Sequence, residues 1–152
     1  MSARHIRQLR PMDIRRALEI ESRSFTLPWS LQAFVALVER EGTICLACDD
    51  EGELVGYLVA DMYIDVWHIM NLAVVPERRR EHIAADLLEE YFEIAERQPH
   101  RGHTLEVRIS NEPAIELYRG YGFIATGVRR TYYGDNREDA LIMWKDWEGA
   151  SA

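Results

Sequence analysis

The clearest pattern in the chain is a mostly apolar run that passes directly into a helical repeat. Residues 66–74 are almost continuously apolar, as in a strand buried on both faces of a sheet, and Pro76 ends the run. From about Arg80 the apolar positions recur every three or four residues, which predicts an amphipathic helix. Its predicted apolar face consists of Ile83, Leu87, Leu88, Tyr91, Phe92 and Ala95. The pattern therefore predicts a buried strand followed closely by a helix.

Weaker patterns predict the remaining elements. Asp13, Ser30 and Asn111 are residues that favour the N-cap position, and each precedes a segment with helical periodicity. Strands are predicted over residues 4–9, 43–48, 54–60, 66–74, 104–109, about 123–131 and about 139–147. The element order β α α β β β α β α β β predicts an α/β (α+β) fold. We expect a single domain over residues 1–147 and a disordered tail over residues 148–152.

Composition excludes several classes of protein. The chain has 152 residues, and its 26 acidic residues against 18 basic ones give a net charge of −8. This balance argues against non-specific binding to nucleic acid or to an anionic membrane, and it suits a cationic peptide or amine. The sequence contains neither an apolar stretch long enough to span a bilayer nor the apolar core of a signal peptide. The expected location is the cytoplasm.

The cysteines and histidines do not have the spacing of a disulfide framework or a metal site. Cys45 and Cys48 are three positions apart in a predicted strand and would point to opposite faces, so we expect two buried thiols. His100 and His103 flank Gly102 in a predicted loop, without the spacing of a known ligand motif. We predict no metal.

Three consecutive arginines precede the amphipathic helix. Arg78, Arg79 and Arg80 stand out in an acidic chain. A helix start presents unpaired N–H groups and a partial positive charge, so a phosphate bound there would be held by backbone donors and arginine together. A solvated turn remains an equally valid interpretation of the spacing alone.

Three segments together resemble a known family. NLAVVPERRREHIAADLL, LEVRISNEPAIELYRGYGF and RRTYYGDNREDALIM occur in this order and are similar to the GNAT acyltransferase superfamily, especially to the RimI-type protein N-terminal acetyltransferases. The resemblance covers nearly the whole chain. It implies a mixed seven-stranded sheet flanked by about four helices and splayed between its fourth and fifth strands, with acetyl-CoA in the gap.

The resemblance also implies a set of cofactor-binding residues. The phosphate-loop pattern of the family falls on Arg79, Arg80, Glu81, His82, Ile83 and Ala84. The backbone near Leu72, Ala73 and Val74 would meet the thioester carbonyl, Asn111 would reach the pantetheine arm, and Tyr118 would also contact the cofactor. His82 departs from the pattern because the family usually has glycine there. Helical backbone angles at His82 would accept its side chain, and the imidazole would then either crowd the phosphates or act as an additional donor.

Two residues match the catalytic positions of the family. Glu106 projects away from the apolar row of its strand and would be the general base, directly or through water, and Tyr118 would be the acid. We expect partial burial to raise the pKa of Glu106 toward neutrality. The alternatives are an exposed Glu106 paired with Arg108, and a Tyr118 that only fills the core.

The acceptor would bind beside two connecting segments. The resemblance assigns this role to Phe25, Leu27, Trp29, Tyr132 and Tyr133, and the nearby acids Asp135, Glu138 and Asp139 could favour basic residues in the acceptor. The implied acceptor is the N-terminus of a protein, such as a ribosomal protein or a nascent chain, and the enzyme is expected to be a monomer or weak homodimer. Alternatives are acetylation of lysine or of a small amine, and a non-catalytic module with a decayed CoA site.

Overall fold

A computed structural model of the chain describes residues 4–24, 30–133 and 138–148. The strands in these residues are β1 (Arg4–Gln8), β2 (Ile44–Asp50), β3 (Glu53–Tyr63), β4 (Val66–Val74), β5 (Gly102–Arg108), β6 (Ile124–Arg129) and β7 (Ala140–Asp146). The helices are α1 (Ile14–Ser24), α2 (Leu31–Glu39), α3 (Ile83–Ala95) and α4 (Glu112–Gly120). The order of elements is the one that the sequence predicts. None of the described helices is long and apolar enough to cross a membrane.

The strands form one mixed sheet in the order β1-β2-β3-β4-β5-β7-β6. The pairs β1–β2, β2–β3, β5–β7 and β6–β7 are antiparallel, whereas β4 and β5 are parallel. The parallel ladder is short, since it joins Val66, Trp67 and His68 to Gly102, His103 and Thr104. A seven-stranded mixed sheet with four helices confirms the predicted fold class.

The chain divides into two compact units. The first contains the residues up to Asp61 together with Met70–Ala95, and the second contains Met62–Ile69 together with the residues from Glu96 onward. Fully or almost fully buried side chains form the core of the first unit: Ala17, Ile20, Phe34, Leu46, Tyr57, Leu58, Leu87, Leu88 and Tyr91. The second unit has its own core: Leu105, Val107, Ile115, Phe123, Ala140 and Met143.

The first unit brings the start of α3 very close to β3. A Cβ atom at Gly56 would lie 3.0 Å from Ile83 Cγ2 and 3.1 Å from the carbonyl oxygen of Ala73. Because such contacts are tighter than packed side chains normally make, only glycine allows this approach without displacement. Gly56 therefore fixes the helix start against the strand. Except for Phe92, the predicted apolar face of α3 is buried.

Local signals are confirmed at two helix starts and wrong at a third. The side chains of Ser30 and Asn111 accept hydrogen bonds from the backbone N–H groups of Ala33 and Ala114, as N-caps do. The carboxylate of Asp13 instead accepts from the backbone N–H of Arg10 and from the guanidinium of Arg7, within a short 3₁₀ turn before α1. Its ion pair with Arg7 replaces the expected cap.

The prediction for the two cysteines is confirmed, whereas the prediction for the end of β5 is wrong. Cys45 and Cys48 are buried free thiols, and burial raises the pKa of each, which confirms the expectation of ordinary thiols. Ile109 was expected to continue the apolar row of β5, but it lies beyond the strand and is 47% exposed.

A cluster of buried polar groups holds the end of the second unit together. Oε1 of Glu96 lies 2.6 Å from His100 Nε2 and 2.8 Å from His103 Nε2, and both imidazoles are fully buried. The other oxygen of Glu96 accepts a hydrogen bond from the backbone N–H of Glu148 at 2.8 Å. Glu148 was assigned to the disordered tail, and this bond shows that order extends at least to this residue. Burial lowers the pKa of His103 to about 4, so His103 is neutral at pH 7.

Unfolding is expected to depend on pH through His103. The folded protein keeps this imidazole neutral down to about pH 4, whereas the unfolded chain protonates it below its ordinary pKa of 6.5. Stability should therefore fall as the pH drops from 6.5 to 4, by up to about 3 kcal/mol from this group. Urea unfolding of the wild type and of His103→Gln between pH 4.5 and 7.5 measures this effect.

The exposed His5 provides the control, as His5→Gln. We expect His103→Gln to flatten the pH dependence of the free energy of unfolding and His5→Gln to leave it unchanged. Equal slopes in all three proteins would contradict the assignment of the pH dependence to His103.

Candidate active site

The loop that leads into α3 exposes two arginines. Arg78 is already engaged, because its Nη2 lies 2.5 Å from Asp50 Oδ2 and its Nε lies 2.9 Å from both carboxylate oxygens of Glu81. Arg79 and Arg80 are exposed, and their guanidinium groups make no ion pair within the described part of the chain. Two of the three arginines thus remain available to an anion.

The backbone of this loop differs from the expected helix. Arg80 has a φ of 71° and His82 a φ of 64°, both in the left-handed region that residues other than glycine rarely adopt. The helix begins with the bond from the N–H of Asp86 to the carbonyl of His82, at 3.0 Å. His82 therefore lacks the helical angles that would accept a side chain freely, and α3 starts at Ile83 rather than near Arg80. A glycine would adopt this turn without steric cost.

The loop fits a phosphate-bearing group. The N–H groups of Ile83 and Ala84 lie in the first turn of α3, where a helix offers its unpaired donors and the positive end of its dipole. Arg79 and Arg80 add charge beside them. Leu72, Ala73 and Val74 end β4 in the same unit, and Ala73 is buried against Gly56. The N–H groups of the helix start together with the two arginines are groups that bind phosphate in proteins.

In the second unit, Glu106 is held by two partners. Its Oε2 lies 2.6 Å from Nε2 of His68, and its Oε1 accepts from Nη1 of Arg129 at 3.3 Å. His68 pairs with Thr104 in the parallel ladder, and Glu106 lies two residues further along β5, so both side chains lie on one face. Arg108 pairs with Glu138 at 3.5 Å instead, so the alternative of an exposed Glu106 bound to Arg108 is wrong.

The environment of Glu106 lowers its pKa. The hydrogen bond from His68 contributes most, burial acts in the opposite direction, and the charge and hydrogen bond of Arg129 also lower the pKa. The expected rise toward neutrality is wrong because these partners outweigh the desolvation of a side chain that is 14% exposed. Glu106 is therefore ionised at neutral pH.

Tyr118 lies on α4 with its side chain almost fully buried. Its ring packs against Phe123 with 5.7 Å between the centroids. Burial raises the pKa of Tyr118 above its ordinary value, and the charge of Tyr133 raises it further. Since Glu106 acts electrostatically on Tyr133 in turn, these three side chains share one neighbourhood of the second unit. The phenol of Tyr118 keeps its proton at neutral pH and can donate it.

Tyr132 and Tyr133 form a pair after β6. Their rings pack edge to face at 5.1 Å, the guanidinium of Arg129 lies 4.7 Å from the ring centre of Tyr132, and that of Arg108 lies 4.1 Å from the ring centre of Tyr133. The predicted acceptor residues Phe25, Leu27 and Trp29, and the acid Asp135, fall outside the described residues.

The two described acids near the tyrosines are engaged within the protein. Glu138 accepts from the backbone N–H of Ser110 at 2.8 Å and pairs with Arg108, and Asp139 accepts from the N–H of Thr131 at 2.9 Å. These contacts hold the connection between β6 and β7. They reduce the charge that either carboxylate can offer to a basic acceptor.

Sequence reasoning missed His68 and Arg129. His68 interrupts an apolar run whose length suggested a fully buried strand, so its polarity was not used. The signal that could have been used is the position of His68, two residues after Val66. The next predicted strand carries Glu106, a carboxylate whose partner the sequence left unexplained. Nothing in the local sequence indicates that Arg129 reaches Glu106.

A third residue missed by sequence reasoning is Glu21. Glu21 lies on α1 and is buried, at 1% exposure. It accepts hydrogen bonds from the hydroxyl of Tyr57 and from Nδ2 of Asn71, the latter at 2.5 Å. This network ties the end of α1 to β4 next to Leu72.

The one group with metal-ligand chemistry among the described residues is Glu96, His100 and His103. Their ligand atoms lie within 4.8 Å of one another. Both imidazole nitrogens already lie at hydrogen-bond distance from a single oxygen of Glu96, at 2.6 and 2.8 Å. Ligands around a tetrahedral zinc at about 2.0 to 2.1 Å would lie further apart than this. The absence of a metal site remains a prediction.

Comparison with known proteins identifies the class. The sequence model of the Acetyltransferase (GNAT) family matches residues 13–123, which is most of the chain. The chain therefore belongs to the GNAT acetyltransferase family. It is an N-acetyltransferase whose acetyl donor is acetyl-CoA, and the phosphate-binding loop described above fits this cofactor.

Individual relatives have similar lengths. A Bacillus subtilis (strain 168) protein named for alanine N-acetylation of ribosomal protein bS18 is 39% identical over 140 residues, covering 91% of this chain and 93% of its own. The [ribosomal protein bS18]-alanine N-acetyltransferase of Escherichia coli (strain K12) is 34% identical over 140 residues, covering 91% and 94%. The crystal structure of the Escherichia coli ribosomal-protein-S18-alanine N-acetyltransferase superposes with a TM-score of 0.87 at 32% identity, covering 95% of this chain and 94% of that one.

Replacing His82 with glycine tests the unusual turn before α3. Because glycine adopts a φ near 64° without steric cost, His82→Gly should leave the free energy of unfolding unchanged or raise it by up to about 1 kcal/mol. Glu89→Gly, at an exposed position inside α3, is the control and should lower it by about 1 kcal/mol. Equal destabilisation by the two glycines in urea unfolding would show that His82 is not strained.

Proposed function

We propose that this protein transfers an acetyl group from acetyl-CoA to the α-amino group at the N-terminus of a protein. The observation that carries the proposal is the contact of 2.6 Å between His68 and Glu106, beside a protonated Tyr118 and a pair of tyrosines. The Escherichia coli relative is named for acetylating the alanine of ribosomal protein bS18, which supports a protein N-terminus as acceptor.

The lowered pKa of Glu106 favours an α-amine over lysine. An amine attacks a thioester only when it is neutral, and the reference pKa is about 7.7 to 8.0 for an N-terminus against about 10.4 for lysine. Glu106 is a weak base because His68 and Arg129 stabilise its charge. A weak base suffices for an amine that is already partly neutral at pH 7, and it is poorly suited to lysine.

His68 and Glu106 act together on the proton that the amine loses. With Nε2 of His68 donating to Glu106, the other ring nitrogen of His68 carries a lone pair that accepts this proton, directly or through water. Glu106 then stabilises the imidazolium, as a carboxylate does beside a catalytic histidine. The side chain of His68 is 34% exposed, so solvent can reach it and carry the proton away.

Tyr118 serves the leaving group. When bound, acetyl-CoA supplies an activated acetyl group as a thioester, and the thiolate must be protonated as it departs. The phenol of Tyr118 retains its proton at neutral pH because burial raises its pKa. It donates that proton to the sulfur and is reprotonated from solvent.

The remaining assignments concern binding of the donor. Arg79, Arg80 and the backbone from Glu81 to Ala84 hold the diphosphate, and N–H groups near Leu72, Ala73 and Val74 receive the thioester carbonyl. Asn111 uses Oδ1 to cap α4, which leaves its Nδ2 as a donor to the pantetheine arm. His82 contributes its backbone, and its exposed ring faces solvent or phosphate.

The acceptor binds at Tyr132 and Tyr133; Phe25, Leu27 and Trp29, which the resemblance also assigns to the acceptor, lie outside the described residues. Tyrosines present ring faces that wall a peptide and hydroxyl groups that bond its backbone. An acceptor such as a ribosomal protein or a nascent chain places the reaction in the cytoplasm.

A peptide assay tests the proposed function. The protein is incubated with acetyl-CoA and with two peptides of one sequence that begins with alanine and contains an internal lysine, one with a free N-terminus and one with a blocked N-terminus. We expect mass spectrometry to find acetyl only on the free N-terminus. Equal acetylation of the blocked peptide would indicate a lysine acetyltransferase, and the absence of CoA binding in calorimetry would indicate a non-catalytic module.

Substitution of the two proposed catalytic residues tests the mechanism. Glu106→Gln and Tyr118→Phe should each lower turnover at least about tenfold with the fold intact, since the first removes the carboxylate that supports His68 and the second removes the proton donor. Glu116→Gln, an exposed carboxylate on α4, and Tyr63→Phe, an exposed phenol, are the matched controls and should keep wild-type turnover. Wild-type turnover in either of the first two variants would remove that residue from the mechanism.

A further inference from the structure

Two arginines occupy equivalent positions on one face of the second unit. Arg108 of β5 and Arg129 of β6 both pair in register with Ala140 of the strand between them, β7. Residues paired in this way project on the same face, and Glu106 shares that face with Arg108. Ala140 is fully buried, and its small side chain leaves room for the two long arginine side chains above it.

A bulge in β6 places Arg129 on this face. The register of β6 against β7 shifts between Ala125 and Gly127, which adds one residue to β6. Without the shift, regular alternation would set Val128 rather than Arg129 opposite Ala140, and the guanidinium would project from the other face. Gly127, which has no side chain, stands between the bulge and Arg129 on the same face. The strand irregularity therefore aims Arg129 toward Glu106.

Each arginine supports one tyrosine of the Tyr132–Tyr133 pair. Arg129 lies 4.7 Å from the ring centre of Tyr132 and Arg108 lies 4.1 Å from that of Tyr133, both within the range of cation–π attraction. A planar guanidinium stacks on an aromatic face while its N–H groups bond elsewhere. The sheet thus holds both tyrosine rings in place through the two arginine side chains.

The second contacts of the arginines differ. Arg129 also donates to Oε1 of Glu106 at 3.3 Å, whereas Arg108 pairs with Glu138 at 3.5 Å. Glu106 is faced by His68 from β4 and Arg129 from β6, and its charge acts electrostatically on the phenol of Tyr133. Its partner in register on β7 is the apolar Ile142. Arg129 is therefore the residue that contacts both the tyrosine pair and the carboxylate.

We propose that Arg129 is a positioning residue that couples acceptor binding at Tyr132 to the charge and orientation of Glu106, whereas Arg108 positions Tyr133 alone. The proposal rests on the proposed function, in which the tyrosines bind the acceptor and Glu106 assists proton removal. The guanidinium of Arg129 contacts both the ring of Tyr132, which receives the peptide, and the carboxylate of Glu106, which assists removal of the proton from the peptide amine. The ring and the carboxylate are therefore held in fixed positions relative to each other. The guanidinium of Arg129 is 53% exposed, so an arriving peptide can reach it.

The first test measures the pKa of Glu106 in the absence of substrates. The carboxyl groups of glutamate are labelled with carbon-13, the Glu106 signal is assigned with Glu106→Gln, and its pKa is measured by NMR titration. Arg129→Met should raise the pKa of Glu106 toward its ordinary value, because a cation beside the carboxylate is lost. Arg108→Met, the matched control, should leave it unchanged, and Arg129→Lys should restore most of the wild-type value.

The second test separates the two arginines by kinetics with a peptide that has a free N-terminus. Arg108→Met should raise KM for the peptide about two- to fivefold with kcat unchanged, the scale of one exposed cation–π contact. Arg129→Met should raise KM by a similar factor and also lower kcat. Melting temperatures of all variants show whether the fold is intact, and Arg129→Lys provides a rescue if Arg129→Met unfolds.

The outcomes are distinguishable. Equal effects of Arg108→Met and Arg129→Met on the pKa of Glu106, or no effect of either, would overturn the proposal, as would an Arg129→Met variant that changes KM alone. Failure of the wild type to acetylate a free N-terminus would refute the proposed function, while the titration would still decide whether Arg129 controls Glu106.

Discussion

The hydrogen bond between His68 and Glu106 is the contact on which the proposed chemistry of this protein depends. It follows from the fold, because three parallel pairs between β4 and β5 set His68 beside Thr104, and Glu106 follows on the same face. The bond keeps the carboxylate ionised despite its burial, and it fixes which nitrogen of His68 faces away from Glu106. A change of one residue in that ladder would separate the pair and turn one of the side chains to the other face.

The surroundings of Glu106 and Tyr118 explain why the two residues have different proposed roles. In the second unit, the environment pushes two titratable groups in opposite directions: the pKa of Glu106 is lowered by its partners and that of Tyr118 is raised by burial. One group is therefore a carboxylate and the other a protonated phenol at the same pH, and the proposed acid–base mechanism uses this difference. The first unit supplies a different property, a helix start with two exposed arginines that suits phosphate. The chain belongs to the GNAT acetyltransferase family, and the proposed function uses both properties for acetyl transfer from acetyl-CoA.

The sequence predicts the elements better than it predicts the contacts. The bounds of β4 and the N-caps at Ser30 and Asn111 were predictable because apolar runs and cap residues act locally. The start of α3 was not, since a left-handed φ at His82 leaves no mark on a residue that is not glycine. The direction of the pKa shift of Glu106 was missed because its partners come from β4 and β6. The contact with Arg129 also depends on a bulge in β6 that hydrophobic periodicity does not show. Side chains from separate strands meet only because the register of strand pairing brings them together.

A double-mutant cycle on His68 and Glu106 tests most directly whether the two side chains act as one unit. The values of kcat/KM for His68→Gln, Glu106→Gln and the double variant are compared with wild type, using a peptide with a free N-terminus. If the imidazole takes the proton and the carboxylate only supports it, the double variant loses no more activity than His68→Gln alone. Losses that multiply would mean that the two residues act independently and would contradict the account.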